Sequence, residues 1–163
     1  MNHKLLSTYL NDHLAGALAG SGLAARTAGA NRAHAAYQPA LDELAKEIRE
    51  DLQTLRSLMS RLGVGADRAK MFGGWAAEKV GRLKPNGRLL TYSPLSRVEE
   101  LEMLRIGVTG KRMLWRTLQL LSEQDKRLQE FDFAALLERA EAQLATIDAC
   151  HALAVSDAFL AFA

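Results

Sequence analysis

The chain is expected to be all-α: four long helices packed as two antiparallel pairs, with a long crossover between the second and third. Three observations lead there. The 163 residues are rich in alanine and leucine and contain only 3 prolines, a composition that favours helix because these side chains lose little rotamer freedom in one. Apolar residues recur at helical spacing in four separate segments, each long enough for six or so turns. The connections between those segments run short, long, short, and length 1–163 suits a single domain with its own core.

The first helix is placed from about Lys4 to about His34, with Leu6, Leu10, Leu14, Ala17, Ser21, Ala24 and Ala28 as its buried stripe. Gly16-x-x-x-Gly20 lies on a second side with Leu5, Tyr9, Asp12 and Leu23. Missing side chains there would let another backbone approach closely, either the crossover or a second subunit. A homodimer through this Gly16/Gly20 face is therefore expected. Pro39 suits the opening turn of the second helix, whose stripe is Leu41, Leu44, Ala45, Ile48, Leu52, Leu55, Met59 and Leu62, ending at Gly63-Val64-Gly65.

A short extra helix over about Asp67 to Leu83 carries Met71, Phe72, Trp75 and Val80, and Pro85-Asn86-Gly87 signals a turn after it. Lys79, Arg82, Lys84 and Arg88 read as a solvated basic rim. Ser93 caps and Pro94 opens the third long helix, which runs to about Ser122. Asp132 caps the fourth, which runs to about Phe159 on the stripe Phe133, Leu137, Ala140, Leu144, Ile147, His151 and Val155.

A net charge of +2 argues against a nucleic-acid or membrane-surface partner. One cysteine, Cys150, precludes an internal disulfide and fits a reducing compartment. Polar residues over the first thirteen positions leave no room for an apolar leader, and no run approaches the ~20 apolar residues of a membrane span, so a cytoplasmic location is expected. No phosphate-binding loop, dinucleotide fingerprint or Ser/His/Asp arrangement is present, and Cys150 lacks a Cys-x-x-Cys mate, which argues against an enzyme.

Polar residues in the middle of the bundle are the candidates for chemistry. The second helix offers Glu47-x-x-Glu50 with Asp51, the third Glu102, and the fourth Asp148-x-x-His151. Counting ~1.5 Å per residue from a shared end puts Glu47, Glu102 and His151 within a turn of one level. The first helix offers only Arg26 and Thr27 there, with Asp12 and His13 ~20 Å away. These residues and the long crossover resemble the ferritin-like superfamily, especially its small bacterial members of unassigned function. In that family such slots imply iron or manganese binding, oxidase chemistry or metal storage.

The metal set so implied is Glu47, Asp51, Glu102, Asp148 and His151. The first helix lacks a carboxylate at that level and the second lacks a histidine, while Arg105 and Arg112 could replace a metal's positive charge. The reading is thus a non-catalytic ferritin-like bundle without a cofactor, its metal site vestigial and its role structural, stress-related or protein-binding. The alternative is a protein that binds iron or manganese, with weak oxidase or storage activity.

Overall fold

The computed structural model describes residues 2–67 and 92–160. The expected crossover helix, the Pro85-Asn86-Gly87 turn, the basic rim and the apolar face around Trp75 lie outside the described residues. The long helices are α1 (His3–Ala30), α2 (Gln38–Arg61), α3 (Pro94–Ser122) and α4 (Phe133–Val155). A 3-10 turn, Lys126–Leu128, lies between α3 and α4, and a π turn, Ser156–Leu160, follows α4.

Each end has a local cause. The side-chain oxygens of Asn2, Ser93 and Asp132 accept the backbone N–H three residues on, at 3.2, 3.1 and 3.0 Å, satisfying donors the helix cannot. α2 ends where Gly63 turns left-handed at φ 71°. Gly63 N–H then reaches Ser60 O at 3.0 Å and Val64 N–H reaches Met59 O at 2.9 Å, closing the last carbonyls. α1 stops four residues earlier than its composition suggests, because Asn31 is fully buried and its side chain bonds other parts of the chain.

Every residue of the α2 stripe is buried, joined by Leu58 and Asp51. Leu10, Leu101, Leu118, Leu128 and Ile147 complete the centre, each worth ~1.5–3 kcal/mol of burial. α1 packs on α2 and α3, and α4 packs on α3 and α2, leaving α1/α4 and α2/α3 on the diagonals. Cross-bonds fix the directions. Arg26 meets Glu100 while Tyr9 meets Thr117, so α1 and α3 are antiparallel. Glu47 meets Gln143 while Arg61 meets Glu130, so α2 and α4 are antiparallel too.

Asn11 holds both Gly65 O (3.1 Å) and Asp67 N–H (2.6 Å), whereas Tyr92 meets Asn31 (3.2 Å). Those two asparagines stand ~30 Å apart along α1, so the chain between Asp67 and Tyr92 joins opposite ends of the bundle. Among the described residues no helix is long and apolar enough to cross a membrane.

Candidate binding cleft and its charged floor

The five residues of the implied metal set do not converge. Three sit on the outer seam between α3 and α4, in half-exposed ion pairs. His151 Nε2 lies 3.3 Å from Glu102 Oε1, and Arg105 Nε donates to Asp148 Oδ1 at 2.5 Å. Arg112 continues the row to Glu141 at 2.7 Å. The Arg105 guanidinium holds the Asp148 carboxyl below the usual range, an exposed interaction of little consequence for stability.

His151 was expected at the centre of the buried face of α4, and its side chain is instead 33% exposed. The buried line of α4 runs Phe133, Leu136, Ala140, Gln143, Ile147, Cys150 and Ala154. A glutamine stands at the centre of that line. A stripe drawn through apolar residues only is pulled round toward Leu144 and His151. Cys150 takes the inward place, and burial pushes its thiol up. The shared level also fails: Glu47 meets Gln143, and His151 lies ~12 Å further along α4.

What α2, α3 and α4 do bring together is a buried charge cluster around Asp51, which is 2% exposed. Lys111 Nζ donates to its Oδ2 and Arg139 Nη2 to its Oδ1. Gln143 Nε2 donates to Asp51 Oδ2 at 3.1 Å and to Glu47 Oε2 at 3.0 Å, while its own oxygen accepts from Lys111. Arg139 Nη1 also reaches Glu50 at 3.3 Å. Burial lowers the Lys111 ammonium's pKa, opposed by the Asp51 charge.

This donor set does not fit iron or manganese. Both Asp51 oxygens already carry cations, and among the described residues no three His, Cys, Asp or Glu gather in a metal-holding group. The expected substitutes for a metal's charge, Arg105 and Arg112, are surface residues. Lys111 occupies the interior instead, and Arg139 reaches in to Asp51 from nearer the surface. The spacing Leu101, Leu104, Val108, Lys111, Trp115, Leu118 carries the signal that could have found Lys111, since a charge in an otherwise apolar register is a buried charge.

Beside this cluster a cleft of about 330 Å³ opens between α1 and α3 and penetrates to α2. Gly16 and Gly20 of α1 face it, as do Gly107 and Gly110 of α3. Among the described residues a Cβ at any of the four would meet nothing within 4 Å. Among the described residues no backbone approaches Gly16-x-x-x-Gly20, and the four glycines border open space within the chain. Ile48, Leu52 and Leu55 line its α2 side together with Asp51, and Lys111 and Trp115 join from α3. Met103 and Ile106, exposed at 58% and 66%, lie on the α3 side. Asp12 and His13 belong to the same cleft from α1, and burial lowers the His13 pKa.

The end of the bundle nearest the α1–α2 turn is locked by a second polar network. Arg97, 4% exposed, donates from Nε to Asn31 Oδ1 at 2.6 Å and from Nη1 to Asp157 at 3.2 Å, and stacks over the Tyr37 ring at 4.2 Å. Tyr37 OH donates to the same Asp157 oxygen at 2.6 Å. Arg26, Thr27 and Tyr92 all bond Glu100, at 2.9, 2.8 and 3.1 Å, so the polar residues expected of α1 at this level meet a glutamate the spacing did not single out.

Burial, reinforced by Asp157, pushes the Tyr37 phenol up to about 12, and burial pushes Tyr92 up as well. A folded value above the unfolded one, ~10, means the stabilisation is complete below pH ~10 and is lost as pH rises through the folded value. Urea midpoints should therefore fall steeply from about pH 10 to about pH 12, and less steeply in Tyr37→Phe. Equal slopes in the two proteins would remove Tyr37 from this account.

The chain matches no protein-family model, no curated protein and no solved structure. The helix order, the cluster and the cleft are therefore what a functional reading must rest on.

Proposed function

We propose that this chain is a non-catalytic ferritin-like bundle that works by binding, and that the cleft between α1 and α3 is its binding site. The connectivity supports the family reading: neighbours are antiparallel, and the chain passes from one end of the bundle to the other between α2 and α3. The cation pairs on Asp51 support a vestigial metal site, because charge that a metal would supply comes from Lys111 and Arg139. The observation that carries the binding role is the cleft itself, of about 330 Å³, kept open by glycines on both facing helices. Pockets that take small molecules are of this size and this apolar character.

Titration with the neutral fluorophore N-phenyl-1-naphthylamine tests the proposal. Saturable one-to-one binding is expected, and Gly110→Leu should weaken it by about tenfold or more by filling the void. The same substitution should raise stability by about 0.5–1 kcal/mol, since glycine is a poor helix former. Wild-type protein that shows no saturable binding would sink the cleft as a site.

Met103 and Ile106, exposed beside Gly16 and Gly20, favour one further reading, a homodimer through this face. Sedimentation of a dimer at micromolar concentration, loosened by Ile106→Glu, is its requirement.

A further inference from the structure

The charged groups of the cleft wall are unevenly spread. Asp12 stands on α1 one turn before Gly16 and two before Gly20, so it shares their face and lies beside the open space they border. It is exposed to solvent. His13 lies next to it, and because burial lowers its pKa from the usual 6.5 the ring is uncharged at neutral pH. Lys111 is the only Lys or Arg among the described residues of the wall, and its ammonium is committed to Asp51 and Gln143. Asp51 takes no further cation, since each of its oxygens already holds one. The wall therefore sets two carboxylates against one ammonium, and Asp12 is the carboxylate that solvent reaches. Much of the rest is aliphatic, with Leu52, Leu55 and Leu104.

We infer that the ligand of this cleft is a mainly apolar molecule carrying one positive charge, such as a protonated amine, with its ammonium at Asp12 and its body against the aliphatic wall. This inference rests on the cleft being a binding site and names the class of molecule that enters it. A carboxylate offers about four lone-pair sites, so Asp12 takes an ammonium alongside any neighbour it already bonds. Because Asp12 is exposed, the ammonium there keeps part of its hydration and escapes the cost of full burial. The uncharged His13 ring does not repel it. An anion would meet carboxylates from both α1 and α2, with the one nearby ammonium already neutralised. A neutral molecule gains nothing from the Asp12 charge.

The test uses three probes built on one ring system: 2-naphthylmethylamine, 2-naphthalenemethanol and 2-naphthoate. Each displaces the naphthylamine fluorophore from the full-length protein at neutral pH and low salt. The amine is expected to bind about three- to fivefold more tightly than the alcohol, the increment of one partly exposed ion pair. The naphthoate should bind most weakly. In Asp12→Asn the amine and the alcohol should bind alike, because the exposed side chain keeps its shape and loses its charge.

A second readout needs no variant of Asp12. Proton NMR titration of the His13 ring should show its pKa lowered more by bound amine than by bound alcohol, since an imidazolium would then face a second cation. The other titratable groups of the wall, Tyr9 and Asp12 from α1, Asp51 from α2 and Lys111 from α3, are common to both complexes. Equal binding of amine and alcohol, equal His13 shifts, or an amine advantage that survives Asp12→Asn each overturns the inference while leaving the cleft as a site. If neither the probes nor the fluorophore bind, the cleft falls as a site and the ligand class falls with it.

Discussion

Asp51→Asn is expected to destabilise the protein by about 3–5 kcal/mol, read as a lower urea midpoint with an unchanged slope. The side chain keeps its shape, so the loss is electrostatic. Asp51 is the carboxylate on which Lys111 and Arg139 both converge, and only Arg139 has a second acidic partner, Glu50. Removing the negative charge leaves the Lys111 ammonium buried against the neutral oxygen of Gln143. A buried charge stripped of its partner carries its full desolvation cost.

The double replacement Asp51→Leu with Lys111→Met should be milder than Asp51→Asn alone, because it removes both members of the pair and fills the space with apolar volume. Arg139 keeps Glu50 in that variant and sits nearer the surface. A single-mutant loss under about 1 kcal/mol would mean that water reaches this cluster, as it reaches exposed ion pairs.

Arg97→Leu is the second large effect, about 2–4 kcal/mol, from lost hydrogen bonds to a charged group and lost stacking. Arg97 joins three elements: Asn31 at the end of α1, Tyr37 at the entry to α2, and Asp157 in the turn after α4. Leucine leaves Asn31 Oδ1 buried without its donor, which is the costly half of a broken hydrogen bond. Arg97→Lys should recover only part of the loss. An ammonium cannot bond Asn31 and Asp157 in the forked geometry of a guanidinium, nor stack as well on the Tyr37 ring. Arg105→Ala provides the control. Its pair with Asp148 is half exposed, so its removal should leave the urea midpoint close to that of the wild type.

These contrasts show what could be read from residues in order. α2 was legible almost completely, because its inward positions are aliphatic from Leu41 to Leu62 apart from Asp51 and its outward positions are mostly charged or polar. Its C-terminal glycine and the caps Ser93 and Asp132 were legible for a local reason: each satisfies backbone groups within one turn of itself. α4 was misread at one point. Gln143 is polar by type and central by position, and a pattern that sorts residues by type turns the helix so that His151 faces inward. The same sorting hid Lys111 inside the apolar register of α3. The implied metal set drew on the misreading of α4, which turned His151 toward an interior that Gln143 and Cys150 in fact occupy.

The sequence by itself determined that the chain forms long amphipathic helices, where most of them begin and end, and that two short connections flank one long one. Those properties follow from interactions within a few residues: rotamer freedom, capping and helical period. Only the tertiary structure decided which carboxylate is buried, which cations answer it, and that the glycines of α1 and α3 enclose a cleft. A buried charge is tolerated only where partners from other helices arrive to pair it. A void likewise exists only between helices that have been brought together.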